Sequence, residues 1–286
     1  MQKSGFVSII GYPNAGKSTL LNKFINEQLS IVTYKAQTTR KTILGILTEN
    51  DYQIIFQDTP GILDTSNLLH EYMLSEIKNS LKDVDVVIWL IDSTKDFFIT
   101  ETLENIVQSI DKDKLIVVFN KYDIENKIPS GFENIEQYHH LFISAKNNTN
   151  IDVLKKLICE MLPQHDFYYP EDIITEKNER FYASEIIRKH ILLNFQKEIP
   201  YSVEVVVDKF EEKDNIISIS SIIYTERKSQ KAILIGKNGN NLKQLGIDCR
   251  NDLEQFFNKH VFLTQYIKVL ENWRRNRQLL KQFNYS

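Results

Sequence analysis

The sequence is short of cysteine, glycine and long apolar runs, and each shortage excludes something. Two cysteines, Cys159 and Cys249, are too few for a disulfide framework and lack a second ligand at zinc spacing. Both read as reduced thiols. The longest aliphatic stretches, such as 86–91, fall far short of the roughly 20 residues that a spanning helix needs, so no transmembrane segment is expected. A strand-like run begins at about Gly5, leaving no room for the charged and apolar regions of a secretory leader, and the expectation is a cytoplasmic protein. A basic excess is missing too. With 35 Lys and Arg against 38 Asp and Glu, the net charge of −3 excludes a wholly basic nucleic-acid binder. Only nine glycines occur, where average usage of about 7% would give roughly twenty. Five of them, Gly11, Gly16, Gly61, Gly236 and Gly239, fall in loops of the kind that approach phosphate, where a Cβ would be in the way.

What remains is the composition of a soluble globular protein, 42% hydrophobic and 26% charged over 286 residues, about two domains' worth. Charge is unevenly placed. Residues 1–170 carry a net −6 and residues 171–286 a net +3. The shift coincides with Pro163-Gln-His-Asp-Phe-Tyr-Tyr-Pro170, which has proline at both ends and no helical period. The expected organisation is an acidic domain over 1–165, a linker over 166–172, and a mildly basic domain over 173–286 ending in a basic tail.

In the first domain, the β-branched run Phe6 to Ile10 leads into Gly11-Tyr12-Pro13-Asn14-Ala15-Gly16-Lys17-Ser18 and a helical pattern from Thr19 to Asn26. Strand, glycine loop and helix in that order match G-x-x-x-x-G-K-[ST] in its required context. Loop N–H groups and the helix N-terminus would cradle phosphates, Lys17 would reach the β and γ oxygens, and Ser18 would ligate Mg²⁺. The apolar run Leu115 to Phe119 ends in Asn120-Lys121-Tyr122-Asp123. A carboxylate at Asp123 accepts from N1–H and the exocyclic amine of guanine but would face a lone pair on adenine, a polar mismatch that discriminates by about 10⁴. Asn120 would brace the loop and the Lys121 stem would lie over the base. Ser144-Ala145-Lys146 follows another apolar segment, with backbone donors for the guanine carbonyl.

Between these, Tyr52 to Asp58 reads as a strand ending in Asp58-Thr59-Pro60-Gly61. Asp58 would hold Mg²⁺ through a water, and the Gly61 N–H would sense the γ-phosphate. In Lys35-Ala-Gln-Thr-Thr39-Arg40, Thr39 is preferred over Thr38 to complete the metal shell. Runs at 84–91 and helical patterns at 68–81, 102–110 and 151–162 alternate with the strands. The expectation is a doubly wound, mostly parallel α/β sheet with its ligand at the strands' carboxyl ends and the helix after Gly61 as the mobile switch.

The second domain reads as helix 178–196, strand 201–210, turn 211–215, strand 216–226, two helices around Gly236, and strand 261–269. The joint Ile233-Leu-Ile235-Gly236-Lys237-Asn238-Gly239 is similar to the I-G-x-x-G loop of a KH module, and the order α-β-β-α-α-β to its type II form, an α+β fold. Such a loop clamps about four nucleotides of single-stranded nucleic acid. Lys228, Lys231, Lys237 and Lys243 would contact phosphates, while Ile233, Ile235 and Leu242 would line the groove. In the tail, Trp273-Arg274-Arg275-Asn-Arg277 reads equally as a solvated basic helix or as an RNA contact.

Together, the phosphate loop with Pro13-Asn14, the Lys-Ala-Gln-Thr-Thr-Arg segment, Asp58-Thr-Pro-Gly61, Asn120-Lys-x-Asp123, Ser144-Ala-Lys146 and the KH-like half resemble the Era family of bacterial GTPases. Arg180-Phe-Tyr-Ala-Ser-Glu-Ile-Ile-Arg188 and Pro200-Tyr-Ser-Val203 carry the likeness into the second half. The resemblance implies a doubly wound P-loop GTPase domain followed by a type II KH domain. It implies a ribosome-assembly GTPase, cycling between GTP and GDP, that binds the 3′ end of 16S rRNA, associates with the 30S subunit as a monomer and touches the inner face of the cell membrane peripherally. The resemblance implies Lys17, Thr39 and Gly61 as the catalytic set, joined by Asn14 if it holds potassium. Where Ras-type enzymes place a water-orienting glutamine this chain has Ile62, so hydrolysis is expected to be slow without a partner. In related GTPases the loop asparagine helps hold K⁺, which makes Asn14 either a K⁺ ligand or a brace of the loop. Two other readings stand beside this one: a GTP-dependent RNA-binding module with negligible hydrolysis, and a paralogous GTPase acting on another RNA.

Overall fold

Alternating apolar runs and amphipathic segments become strands and helices in turn. The computed structural model describes residues 2–125, 127–130, 132 and 135–285. The chain divides into two units, Met1–Ser66 with His70–Glu176, and Asn67–Leu69 with Lys177–Ser286.

The first unit holds a six-stranded sheet in the order β2-β3-β1-β4-β5-β6. Its strands are β1 (Lys3–Ile10), β2 (Ile43–Glu49), β3 (Tyr52–Asp58), β4 (Val86–Asp92), β5 (Leu115–Asn120) and β6 (His139–Phe142). All pairs are parallel except β2 with β3. The helices are α1 (Lys17–Ile25), α2 (Leu68–Ser80), α3 (Glu101–Gln108) and α4 (Ile151–Met161). β5 is buried along its whole length and β4 up to Ile91, as the unbroken aliphatic composition of a strand covered on both faces requires. The chain leaves β1 for β2 and β3 on one side and returns from β3 to β4 on the other, so the carboxyl end of β1 lies at the topological switch point, where such sheets bind ligands.

β2 is not anticipated by the sequence, whose polar lead-in masks a short strand. It pairs antiparallel with β3 through a turn at Asn50, which adopts φ +47°. Beyond α4, the segment read as a linker is tied to this unit by hydrogen bonds. Gln53 Oε1 accepts from the Tyr168 and Tyr169 N–H groups at 2.9 and 3.0 Å, and its Nε2 donates to Tyr169 O and Thr48 Oγ1 at 2.8 and 2.9 Å. Farther on, Ile46 N–H donates to Ile174 O and Thr175 Oγ1 to Leu44 O.

The second unit runs α5 (Glu179–Asn194), β7 (Glu204–Lys213), β8 (Ile216–Thr225), α6 (Lys228–Ile235), α7 (Asn240–Phe257), β9 (His260–Val269) and α8 (Arg277–Gln282). β8 is central, antiparallel to β7 and parallel to β9. This is the α-β-β-α-α-β order of a type II KH fold. The β7–β8 turn is tighter than the expected 211–215: pairing resumes after a bulge between Val207 and Lys209 and continues through Lys213, leaving Asp214-Asn215 as the connection. The core joins Ile187 and Ile191 of α5 to Val205, Ile219, Ile223, Leu245, Leu253 and Ile267. Asn178 caps α5 by accepting from Phe181 N–H at 3.0 Å.

The tail is anchored to its domain through its apolar residues, while Arg275 and Arg277 stay exposed to solvent. Trp273 is completely buried and donates from Nε1 to Ser202 O at 3.0 Å. Arg274 pairs with Glu226, and Tyr285 donates its hydroxyl to Glu204 at 2.9 Å. The apolar positions Trp273, Leu280 and Phe283 outweigh the neighbouring arginines and draw the segment down.

Candidate functional site

At the end of β1 the backbone must turn sharply into α1, and two glycines make the turn possible. A Cβ on Gly11 would lie 2.3 Å from Leu90 O, and one on Gly16, where φ is +102°, would lie 2.2 Å from Asn120 Nδ2. The turn opens a cavity of about 640 Å³ lined by the phosphate loop, the 31–39 segment, Gly61, Asn120, Lys121, Asp123 and 144–146. Its size suits a nucleotide-sized ligand. Lys17 begins α1 and is buried, its Nζ donating to Gly11 O and Tyr12 O at 3.0 Å each. Burial pushes its ammonium down to about 8, opposed by Asp58.

One wall gathers oxygens. Asp58 Oδ2 accepts from Ser18 Oγ at 2.7 Å and from Thr39 Oγ1 at 3.3 Å, and the two hydroxyls are 3.0 Å apart. Residues from β3, α1 and the 31–42 loop thus meet at one point. Asp58 is buried, and its Oδ1 has no hydrogen-bond partner among the described residues. Burial pushes this carboxyl up, while Lys17, Ser18 and Thr39 pull it back. An orphaned carboxylate oxygen beside two hydroxyls is the all-oxygen donor set that a Mg²⁺ ion takes, so the residues fit that ion. Thr38, the alternative, also borders the cavity, but its hydroxyl bonds Thr33 Oγ1 and Lys35 O.

Gly61 is held against the phosphate loop. A Cβ there would meet Pro13 Cγ at 2.8 Å and the Pro13 backbone at 3.0 Å, and the next N–H, from Ile62, donates to Gly11 O at 3.1 Å. Ile62 itself is buried in the core. Thr59 anchors the same stretch through its hydroxyl on Ile9 O at 2.7 Å. Asn14, with φ +65°, donates from Nδ2 to Tyr34 O at 2.9 Å.

At the opposite end Asn120 bridges two loops, donating to Ala15 O at 2.7 Å and accepting from Ala145 N–H at 3.0 Å. Lys121 adopts φ +70° and extends its ammonium to Asp92 at 2.6 Å. Asp123 is exposed at the rim. The Ser144 N–H is engaged by Thr149 O and the Ala145 N–H by Asn120.

In the second unit, α6 and α7 are joined by Gly236-Lys237-Asn238-Gly239, with φ of +73° at Gly236, +55° at Asn238 and +78° at Gly239. Asn241 buttresses the loop by donating to Ile233 O at 2.8 Å, and a Cβ on Gly236 would lie 2.5 Å from its Cγ. Lys228, Lys237 and Lys243 are exposed and Lys231 half-buried. Ile233 is 47% exposed, whereas Ile235 and Leu242 lean into the core and leave only part of their surface to a groove.

Sequence reading missed Asp92, Asn241 and the exposed aromatics Phe262 and Tyr266 of β9. Asp92 carries one signal, a carboxylate at the carboxyl end of a buried strand. Asn241 carries none beyond its nearness to the glycine loop.

Comparison with known proteins places these features. A family model described as "50S ribosome-binding GTPase" matches residues 6–121, and a KH domain model matches residues 198–274. The chain is 39% identical to GTPase Era of Caldanaerobacter subterraneus subsp. tengcongensis, covering 99% of this chain and 98% of that protein. It is 41% identical to GTPase Era of Clostridium botulinum strain Okra, covering 100% and 99%. Two solved structures cover both chains completely at 34% identity and TM-score 0.91: Era with MgGDPNP and nucleotides 1506–1542 of 16S ribosomal RNA, and a point variant of Aquifex aeolicus Era bound to GDP·AlF₄⁻.

Proposed function

Since the chain belongs to the Era family of GTPases, we propose that it hydrolyses GTP in the cavity at the end of β1 and, gated by that nucleotide, binds the 3′ end of small-subunit 16S rRNA through its KH unit. The observation that carries the proposal is the pairing, in one chain, of the Ser18–Thr39–Asp58 oxygen cluster with the Gly236–Gly239 loop.

In this reading Lys17 leaves its loop carbonyls for the β and γ oxygens, and the loop N–H groups from Asn14 to Thr19 cradle the phosphates. Ser18 and Thr39 would hold Mg²⁺ directly and Asp58 through a water, and the ion would supply positive charge against the charge that develops as the phosphoryl group transfers. Gly61 presents its N–H to the γ-phosphate, so Thr39 and Gly61 report whether that group is there. Asp123 accepts from guanine, and the Lys146 N–H faces its carbonyl. Asn14 offers its amide oxygen to a K⁺ ion, supplying positive charge on the phosphate side; turnover that is equal in KCl and NaCl would leave Asn14 as a loop brace.

The 16S rRNA fragment bound by the similar structure supports the small ribosomal subunit as the site of action. Among the described residues no helix is long and apolar enough to cross a membrane.

One observation favours a slower variant of this function. Ile62, the residue after Gly61, is buried and brings no polar group to the attacking water. In that case hydrolysis is negligible until a ribosomal partner binds. GTP turnover by the purified protein, with and without a single-stranded copy of the rRNA 3′ end and with Gly236→Asp as control, tests both. Stimulation of wild type but not of the variant supports nucleotide-gated RNA binding. RNA that binds without changing turnover supports the slower variant, and RNA that does not bind removes the rRNA partner.

A further inference from the structure

Asp92 ends β4 directly across from Asn120 of β5 and lies outside all five nucleotide motifs. Its carboxylate is held from two sides. Oδ1 accepts from the Thr94 N–H at 3.1 Å and the Thr94 hydroxyl at 2.6 Å. Oδ2 lies 2.6 Å from Lys121 Nζ and 3.6 Å from Lys95 Nζ. The Asp92 side chain is only 8% exposed. Burial alone would raise its carboxyl pKa, but the hydrogen bonds from Lys121 and Thr94 overcome this and hold it below the usual range.

Lys121 is consequently fixed at both ends. Its backbone sits in the left-handed region at φ +70°, which few lysines adopt. The residues beside it are pinned, Asn120 O by the Ser93 N–H and hydroxyl, and the Tyr122 N–H by Ile143 O. The ammonium is pinned by Asp92. Between the two anchors runs the methylene stem, and Lys121 borders the nucleotide cavity. An unpaired ammonium there would be drawn toward phosphate oxygens. A neutralised one stays back and turns its apolar stem to the cavity, a surface suited to the flat face of a purine.

We propose that Asp92 is a positioning residue for the base: by anchoring the Lys121 ammonium it sets the Lys121 stem as the wall on which guanine lies. This rests on the cavity being the guanine-nucleotide site, and it assigns Asp92 a role in base retention and none in phosphate binding.

The test is release of N-methylanthraniloyl-GDP from the full-length protein, followed by stopped-flow fluorescence for wild type, Asp92→Asn, Lys121→Met and the double variant. Asp92→Asn is expected to speed release about tenfold, and the double variant to release no faster than Lys121→Met alone, because contacting residues couple. Competition by inorganic tripolyphosphate, which has no base, is expected to be unchanged in Asp92→Asn. Wild-type release rates in Asp92→Asn, an equal further acceleration on top of Lys121→Met, or a parallel loss of tripolyphosphate competition would each overturn the assignment. Failure of the wild-type protein itself to retain the labelled GDP would remove the site reading, a distinct outcome.

Discussion

Gly16 and Asn120, 104 positions apart in sequence, are so close that a Cβ on the glycine would lie 2.2 Å from the asparagine amide nitrogen. The same amide spans from Ala15 O to the Ala145 N–H, so one side chain sets the distance between the phosphate end and the base end of the cavity.

Replacing that bridge is expected to loosen both ends together. Asn120→Ala strands a buried carbonyl and a buried N–H, a loss of about 2–4 kcal/mol in stability. Urea denaturation of the variant should show this, and GDP release should accelerate in parallel.

Gly61→Ala separates the two nucleotide states. Its added Cβ meets the Pro13 ring and backbone at 2.8 and 3.0 Å, which forces Gly61 off the phosphate loop. GDP affinity should stay near wild type, while single-turnover GTP hydrolysis should fall by about tenfold or more, ~1.4 kcal/mol in barrier.

The two glycines of the KH loop should respond differently to asparagine. Gly239 is near the left-handed helical region with open space around its Cα, a conformation that asparagine tolerates. Gly236, at φ +73° and ψ 176°, occupies a region that is essentially glycine's alone and is crowded by Asn241. Gly239→Asn should keep most RNA affinity in a filter-binding titration, and Gly236→Asn should lose it.

Trp273→Ala should destabilise the second unit by about 3–5 kcal/mol, the usual loss for a large buried aromatic. Trp273→Phe, which keeps one ring but leaves a small cavity and strands Ser202 O, should lose less, about 2 kcal/mol. Urea denaturation of the two variants checks that order.

Acid should act on the same unit through Asp252. Lys189 Nζ lies 2.8 Å and His190 Nε2 2.9 Å from its Oδ2. Burial opposes its charge, but the bond and charge of Lys189 and then those of His190 prevail and hold the carboxyl below its ordinary range. The folded pKa lies below the unfolded one, so Asp252 contributes stability above the unfolded value near 3.9 and loses it as pH falls through the folded pKa. Thermal melting of wild type and Asp252→Asn should differ at pH 6 and converge toward pH 3.

The nucleotide motifs were legible because each is a contiguous stretch whose residues act from one turn of backbone, as in Gly11 to Ser18 or Asn120 to Asp123. Helices α4 and α5 were legible for a similar reason, an apolar period that local packing respects. β2 was not, since its polar approach resembles a loop until β3 is there to pair with it. Asp92, Asn241 and Gln53 act on partners that the fold alone brings near: Gln53 reaches Tyr168 across 115 positions. In the tail the sequence weighed arginines against solvent, whereas the structure is decided by Trp273, which no charge pattern reveals.

All four hydrogen-bonding valences of the Gln53 amide are taken, two by donation and two by acceptance, inside a site with no exposed surface. Glutamate lacks the donors, methionine lacks both, and asparagine is one carbon too short. None of these three replacements keeps the site satisfied, so a change at position 53 would need a matching change in the Tyr168–Tyr169 segment.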